Sequence, residues 1–391
     1  MNFGAIELDD ETRSFWAATR AFFDEHVTEE VHAEERDTGT GYNEKFHRAL
    51  GGRGWIVPRW SIEEGGAALD FVRARIVEIE LDRAGPPVIV SQTTPLPALA
   101  VRMFGDEQLK SEVMPGIGTG EVNICLGYTE PDCGSDLAGV KTRAVRDGDE
   151  WVINGQKMFT TGAQVCHYTL LLTRTDPDLP KHKGLTVFLV PLDLPGIEIR
   201  PIGTVGGEKT NFVHYDDVRV PDRFRLGGVN DGWTVLSAPL AAEHGMGKVP
   251  DELAPGSGRV SIRQMRRLLG TVLRWLEGQV DDAGRPRLDD PITRERLAQV
   301  ATELENAVVA PGPMARIYCA EALGRAASDL LELVGPTGLL PHGADGVVED
   351  GWVEYMFRFV PGTTIYGGST EVHRNLVAEK YLGLPRSTPR G

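Results

Sequence analysis

Along the first third of the chain, apolar residues recur with a helical period. Leu8, Phe15, Trp16, Thr19, Phe22 and Phe23 fall at i, i+3, i+4 and i+7 spacings, with Asp9 and Asp10 supplying acid to the first turn. Asn43 is the expected cap of a second helix that carries Phe46, Ala49 and Leu50 and ends at Gly51-Gly52. Phe71, Val72, Ile76 and Ile79 mark a third, which Pro86-Pro87 stops. From about residue 123 the period changes. Trp151 to Ile153, Tyr168 to Leu172, Leu185 to Val190, Ile197 to Ile199 and Asn211 to Val220 are short β-rich runs separated by Gly, Pro and Asp. Asp147-Gly148 and Asn154-Gly155 read as turns between such runs, and the spacing suggests a small barrel or sandwich. After Trp233 the helical period returns.

In that last segment Ile262, Met265, Leu269, Val272 and Leu276 form an amphipathic stripe. Pro291, after Asp290, suits a first turn, and Leu297, Val300, Leu304 and Val308 continue the pattern. A further helix is expected over roughly Met314 to Val334, and a last one from near Thr370. Val249 to Gly258, with Pro250, Pro255, Gly256 and Gly258, reads as a flexible interruption between two helices. No internal repeat is visible.

Composition narrows the classes. At 391 residues and 41% hydrophobic content the chain can bury a large core in two or three domains. A formal net charge of -16 argues against a nucleic-acid partner, which needs clustered Lys and Arg. Cys125, Cys133, Cys166 and Cys319 are far apart without a C-x-x-C pair, so neither disulfides nor a thiolate metal site is expected. His214, His342 and His373 are isolated, in no metal spacing, and are expected on the surface or in packing roles. The opening segment is acidic, with no signal-peptide pattern, and no apolar run approaches membrane-spanning length. A cytoplasmic protein that neither spans nor binds a membrane is expected.

Chemistry concentrates in two runs, Tyr128-Thr129-Glu130-Pro131-Asp132-Cys133-Gly134-Ser135-Asp136 and Asn154-Gly155-Gln156-Lys157-Met158-Phe159-Thr160-Thr161-Gly162. Thr129, Ser135, Thr160 and Thr161 set hydroxyls among glycines, which lets side-chain and backbone donors approach a planar, partly anionic ring. One such run would be an ordinary loop; two favour a ligand. Together with Tyr366-Gly367-Gly368-Ser369-Thr370-Glu371 and the closing Tyr381-Leu382-Gly383-Leu384-Pro385-Arg386, they resemble the acyl-CoA dehydrogenase family across essentially the whole chain.

The resemblance implies an α+β fold: an N-terminal helical domain over 1–122, a middle β-barrel over 123–231 and a C-terminal four-helix bundle over 232–391. It implies FAD, with Leu126, Tyr128, Thr129, Phe159, Thr160, Thr161, Ser369 and Glu371 at the cofactor. Ser135, His244, Tyr366 and Gly368 would lie at the substrate. Gly367 stands where many members carry the catalytic glutamate; its N–H remains able to bind the thioester carbonyl. A subset of the family places the base on the first helix of the C-terminal domain, and Glu243, after Trp233 to Ala242, matches that position, with His244 in place of the usual arginine. Its apolar neighbours are expected to raise its pKa. Val280 stands where an arginine often reaches the FAD of a neighbouring subunit, and Arg285 is the candidate substitute.

The implied activity is α,β-dehydrogenation of an acyl-CoA thioester, branched or sterol-derived, by a homo- or hetero-oligomer (dimer or tetramer). Electrons would pass to an electron-transfer flavoprotein. A flavin monooxygenase on the same fold and a non-catalytic subunit of a heteromeric enzyme are the alternatives, and an acyl-carrier-protein thioester could stand in for CoA.

Overall fold

The computed structural model describes residues 7–243, 259–310 and 312–385. The described chain folds as two compact units. One comprises residues up to 204 and 208–240; the other holds 241–243 and the residues from 259 onward, together with the loop tip 205–207.

The first unit opens with seven helices: α1 (Asp10–His26), α2 (Glu29–Thr38), α3 (Glu44–Gly52), α4 (Phe71–Ala84), α5 (Ile89–Thr93), α6 (Pro95–Phe104) and α7 (Glu107–Thr119). Their caps are written in the sequence. Asp9 accepts from the Thr12 amide at 2.7 Å and Asn43 from the Phe46 amide at 2.8 Å. Gly85, at φ 64°, ends α4 before the two prolines. Thr19, Phe22 and Phe23 form the buried face of α1, and Glu80 of α4 clamps that helix by accepting from the Trp16 indole and the Arg20 guanidinium. The short helices α5 and α6 escape the periodicity reading, because Pro95 and Pro97 break its pattern.

Glu35 closes the end of α2, both carboxylate oxygens accepting from the Gly41 amide at 2.8 and 3.0 Å. Burial, helped by the charges of Glu208 and Glu34, pushes its carboxyl up to about 7 against the amide bonds from Gly41 and Tyr42. Because the folded value lies above the unfolded one, the associated stability is present below about pH 4 and is lost as pH rises through about 7. Glu35→Gln is therefore expected to raise the unfolding free energy by about 1 kcal/mol near about pH 8.5 and to change little near about pH 5. Urea unfolding at the two pH values checks this; an equal effect at both would contradict it.

Eight strands follow: β1 (Ile124–Gly127), β2 (Arg143–Asp147), β3 (Glu150–Lys157), β4 (Tyr168–Arg174), β5 (Leu185–Pro191), β6 (Ile197–Gly203), β7 (Lys209–Pro221) and β8 (Arg225–Leu226). They form one sheet in the order β6-β7-β3-β2-β4-β5-β8, with β1 parallel to β4. The central β4 and β5 are buried nearly throughout, which explains their continuous apolar runs. The expected closed barrel is not formed: β6 and β8 end the sheet, and β8 offers only a two-residue ladder. Strand spacing does not encode closure, which depends on tilt and stagger.

A second expectation is corrected here. Asp147-Gly148 does turn β2 into β3, but Asn154-Gly155 lies inside β3, at a register shift against β7. Gly155 sits at φ 150°, where an added Cβ would meet Thr142 Oγ1 at 2.6 Å, and Asn154 exchanges two 2.9 Å hydrogen bonds with Asp217. The dipeptide makes a bulge rather than a hairpin because its neighbours keep pairing on both sides.

Helix α8 (Gly232–Glu243) leads out of the sheet. In the second unit, α9 (Arg259–Glu277), α10 (Pro291–Val309), α11 (Gly312–Val334) and α12 (Trp352–Thr363) share one core that includes Leu268, Val272, Val300, Leu323, Leu330 and Met356. Asp290 caps α10 through the Thr293 amide at 2.8 Å, with Pro291 in the first turn as read. Helix α12 escapes the pattern because its Trp-Val-Glu-Tyr-Met-Phe-Arg-Phe-Val run mixes two periods. A short helix α13 (Thr370–Leu376) packs on α11. The interruption expected over Val249 to Gly258 lies outside the described residues. No helix among the described residues is long and apolar enough to cross a membrane.

Candidate active site

The two hydroxyl-bearing runs are brought together in the first unit. One follows β1, and the other runs from the end of β3 toward β4. The Met158 amide donates to Thr129 O at 2.9 Å and joins them directly. Beneath this joint lies a buried ion pair absent from the sequence reading. Lys157 Nζ, fully buried, donates to Glu130 Oε1 at 2.7 Å and to Tyr128 O at 3.1 Å. Glu130 also accepts from the amides of Lys141 at 2.6 Å and Thr142 at 2.9 Å.

Burial alone would raise the Glu130 carboxyl, but the Lys157 charge and these hydrogen bonds hold it below the usual carboxylate range. Burial pulls the Lys157 ammonium down to about 8 despite its partner. The signal is in the sequence: Lys157 is the single charged residue of the second run, and the charged residues of the first, Glu130, Asp132 and Asp136, are all acids.

Above the pair, the second run presents its candidates. Phe159 is 56% exposed and holds φ 57°, a left-handed conformation that costs a bulky residue energy and concentrates at ligand sites. Thr160 is buried; its amide donates to Asn211 O at 3.1 Å and its carbonyl accepts from Asn211 Nδ2 at 2.9 Å. Its hydroxyl, also buried, has no partner among the described residues. Thr161 Oγ1 meets Thr210 Oγ1 at 3.1 Å. Tyr128 is buried and Leu126 half-buried, whereas Ser135 is exposed beside Asp136, which pairs with Lys181 at 2.7 Å. Leu126, Tyr128, Thr129, Phe159, Thr160 and Thr161 thus share one corner of this unit. A planar aromatic ligand suits it: an exposed ring is held in a strained backbone, next to a buried hydroxyl that lacks a partner among the described residues.

In the second unit, the turn before α13 carries the other candidates. Gly367 and Gly368 take φ 64° and 81°, conformations open to glycine at no steric cost. Tyr366 is half exposed, and its carbonyl accepts from Arg316 Nη2. Gly367 O faces His373 Nε2 at 3.2 Å. Ser369 caps α13 by accepting from the Val372 amide at 3.3 Å, and Glu371 is exposed in its first turn. His373, expected on the surface or in packing, is fully buried. Sequence reading missed Arg316 as well, although it falls in line with the buried Cys319, Leu323, Ala327 and Leu330 of α11. An arginine on an apolar stripe is a legible flag.

Glu243 is the last residue of α8, and His244 lies outside the described residues. Arg285 stands in the turn between α9 and α10, where it pairs with Asp281 at 2.7 Å and remains exposed. Val280 bridges to Pro286 in the same turn. No cluster of three or more His, Cys, Asp or Glu side chains among the described residues could hold a metal ion.

Family models for the N-terminal, middle and C-terminal domains of acyl-CoA dehydrogenase match residues 9–121, 125–218 and 254–382. Acyl-CoA dehydrogenase FadE26 of Mycobacterium tuberculosis is 30% identical over 406 residues, covering 97% of each chain. The ChsE4-ChsE5 complex from Mycobacterium tuberculosis superposes with a TM-score of 0.85 at 28% identity, covering 98% of this chain and 100% of that one. The steroid ACAD Tcur3481-Tcur3483 gives 0.83 at 31% identity, with 98% and 100% covered. With its architecture and its sequence matched over nearly its whole length, the chain belongs to the acyl-CoA dehydrogenase family and is an oxidoreductase.

Proposed function

We propose that this protein is an FAD-dependent acyl-CoA dehydrogenase that introduces a 2,3-double bond into an acyl-CoA thioester. The observation that carries the reading is the joined corner of the first unit, where Phe159 is exposed in a strained conformation beside the unpartnered Thr160 hydroxyl. Leu126, Tyr128, Thr129 and Thr161 complete the surface offered to the isoalloxazine, with Ser369, Glu371 and Arg285 as further cofactor contacts. When bound, the flavin supplies the hydride acceptor.

The chain's own residues do the rest. Glu243 takes the α-proton, because Gly367 offers no side chain for that task. The Gly367 amide donates to the thioester carbonyl and stabilises the negative charge that builds there as the proton leaves. Ser135, His244, Tyr366 and Gly368 contact the substrate. A bulky, sterol-derived acyl group is supported by the steroid ACAD among the structural relatives. A hetero-oligomer is supported by the ChsE4-ChsE5 complex among the structural relatives. Electrons leave to an electron-transfer flavoprotein in the cytoplasm.

The test is anaerobic mixing of the purified protein, alone and with any co-expressed partner chain, with straight-chain, branched and steroid-side-chain acyl-CoAs while flavin absorbance is followed. Bleaching by a thioester is expected. A yellow protein that turns over only with oxygen would replace the reading with a monooxygenase, and a colourless one with a non-catalytic subunit. A second expectation concerns Thr160. Thr160→Val removes a hydroxyl that has no partner among the described residues, so flavin-free stability is not expected to fall, while flavin affinity drops about tenfold. Flavin titration and thermal melts of the apoprotein separate the two effects.

A further inference from the structure

The Tyr366 carbonyl and the Gly367 N–H are the two ends of one planar peptide. Arg316, only 8% exposed on α11, donates from Nη2 to that carbonyl, and its guanidinium carbon lies 5.5 Å from the centre of the Tyr366 ring. A trans peptide points its N–H opposite to its C=O, so anchoring the oxygen on a buried cation aims the Gly367 N–H away from Arg316. A cationic donor on the oxygen also draws electron density through the amide and makes the N–H a stronger donor, an effect enlarged where water is excluded. His373 Nε2 holds the next peptide in the same way, through Gly367 O at 3.2 Å. Two consecutive peptides of a turn that glycine alone would leave loose are thus tied down from α11 and α13. A buried arginine is costly to keep, and its contact with a backbone carbonyl beside two left-handed glycines gives it a task.

We propose that Arg316 is a positioning residue for the Gly367 amide, holding and polarising the Tyr366–Gly367 peptide so that its N–H stabilises negative charge on a bound thioester carbonyl. The proposal rests on the dehydrogenase reading above. His373 supports the same turn one peptide further on.

The test compares wild type with Arg316→Met, Arg316→Lys and His373→Gln in the flavin-loaded protein, assembled with its partner chain if it has one. Each receives the acyl-CoA that bleaches wild type, and then the 3-ketoacyl-CoA of the same chain, whose enolisation on the protein is followed spectroscopically against pH. Arg316→Met is expected to lower kcat roughly 10- to 100-fold with KM changed far less. It should also raise the pH at which the bound 3-ketoacyl-CoA enolises by about one unit. Arg316→Lys, which keeps the charge and one donor, should recover part of both. A merely structural arginine would change flavin content or stability and leave the enolisation pH in place.

A Met variant that enolises and turns over like wild type overturns the proposal. If the Met variant does not fold, the Lys variant decides: an unshifted enolisation pH overturns the proposal and a partial shift supports it. Failure of the dehydrogenase reading is recorded separately, because wild type would then be bleached by no thioester, and this proposal would fall with it.

Discussion

Glu243→Gln is expected to slow thioester-driven flavin bleaching roughly 10³-fold, with flavin content unchanged. Glutamine keeps the length and polarity of the side chain but cannot accept the α-proton. The size of the loss follows from what else is present. Position 367, where many members of the family carry their glutamate, is a glycine at φ 64° and supplies only an N–H. The oxyanion contact would survive the substitution, so binding of the thioester should change little while the chemical step collapses. Stopped-flow absorbance under anaerobic conditions reads this directly. Equal bleaching by both proteins would remove Glu243 from the mechanism and direct the search to another carboxylate.

Lys157→Met is expected to destabilise the first unit by about 3 to 5 kcal/mol, because it strands Glu130 as a buried charge without its counter-ion. The carboxylate would keep the Lys141 and Thr142 amides but lose the 2.7 Å contact with Nζ. Joining it to Glu130→Gln should recover much of the loss, since the double variant leaves no buried charge unpaired. Urea unfolding of the two single variants and the double variant measures the coupling. The pH profile offers a second readout. Glu130 is held below the usual carboxylate range, so the stability it contributes is present above its unfolded value of about 4 and is lost as pH falls below that. Wild type should therefore lose stability on acidification more steeply than the double variant. Because the same pair supports Thr129 and Phe159, flavin content should fall in Lys157→Met. Unchanged unfolding in all three variants would show that the pair does not hold the two runs together.

Local chemistry was read well wherever a residue acts on its own neighbourhood. Asn43 caps the helix that follows it as expected, because a cap needs only a side-chain oxygen near the third amide of the same segment. Asp147-Gly148 turns for a similarly local reason. Asn154-Gly155 has the same composition and does not turn, because β7 continues to pair with β3 on both sides of it. The difference lies in a strand some sixty residues away. Closure of the sheet was misread on the same ground, since it depends on how the two edge strands meet. Helix α12 escapes the pattern because Trp352, Tyr355, Phe357 and Phe359, on both its buried and its exposed sides, blur the helical period.

By itself the sequence determined the order of helices, sheet and helices, the family, and the two hydroxyl-bearing runs, since these follow from periodicity, capping and spacing within short windows. Only the tertiary structure decided that Lys157 and Glu130 are buried partners beneath those runs, and that Arg316 and His373 hold the carbonyls of the glycine turn. Those contacts join residues 27, 50 and 6 positions apart, across different elements or across a turn. A charged side chain in a sequence is most often solvated at the surface. Whether it is instead buried against one particular partner depends on how strands and helices pack, and packing is a property of the whole fold.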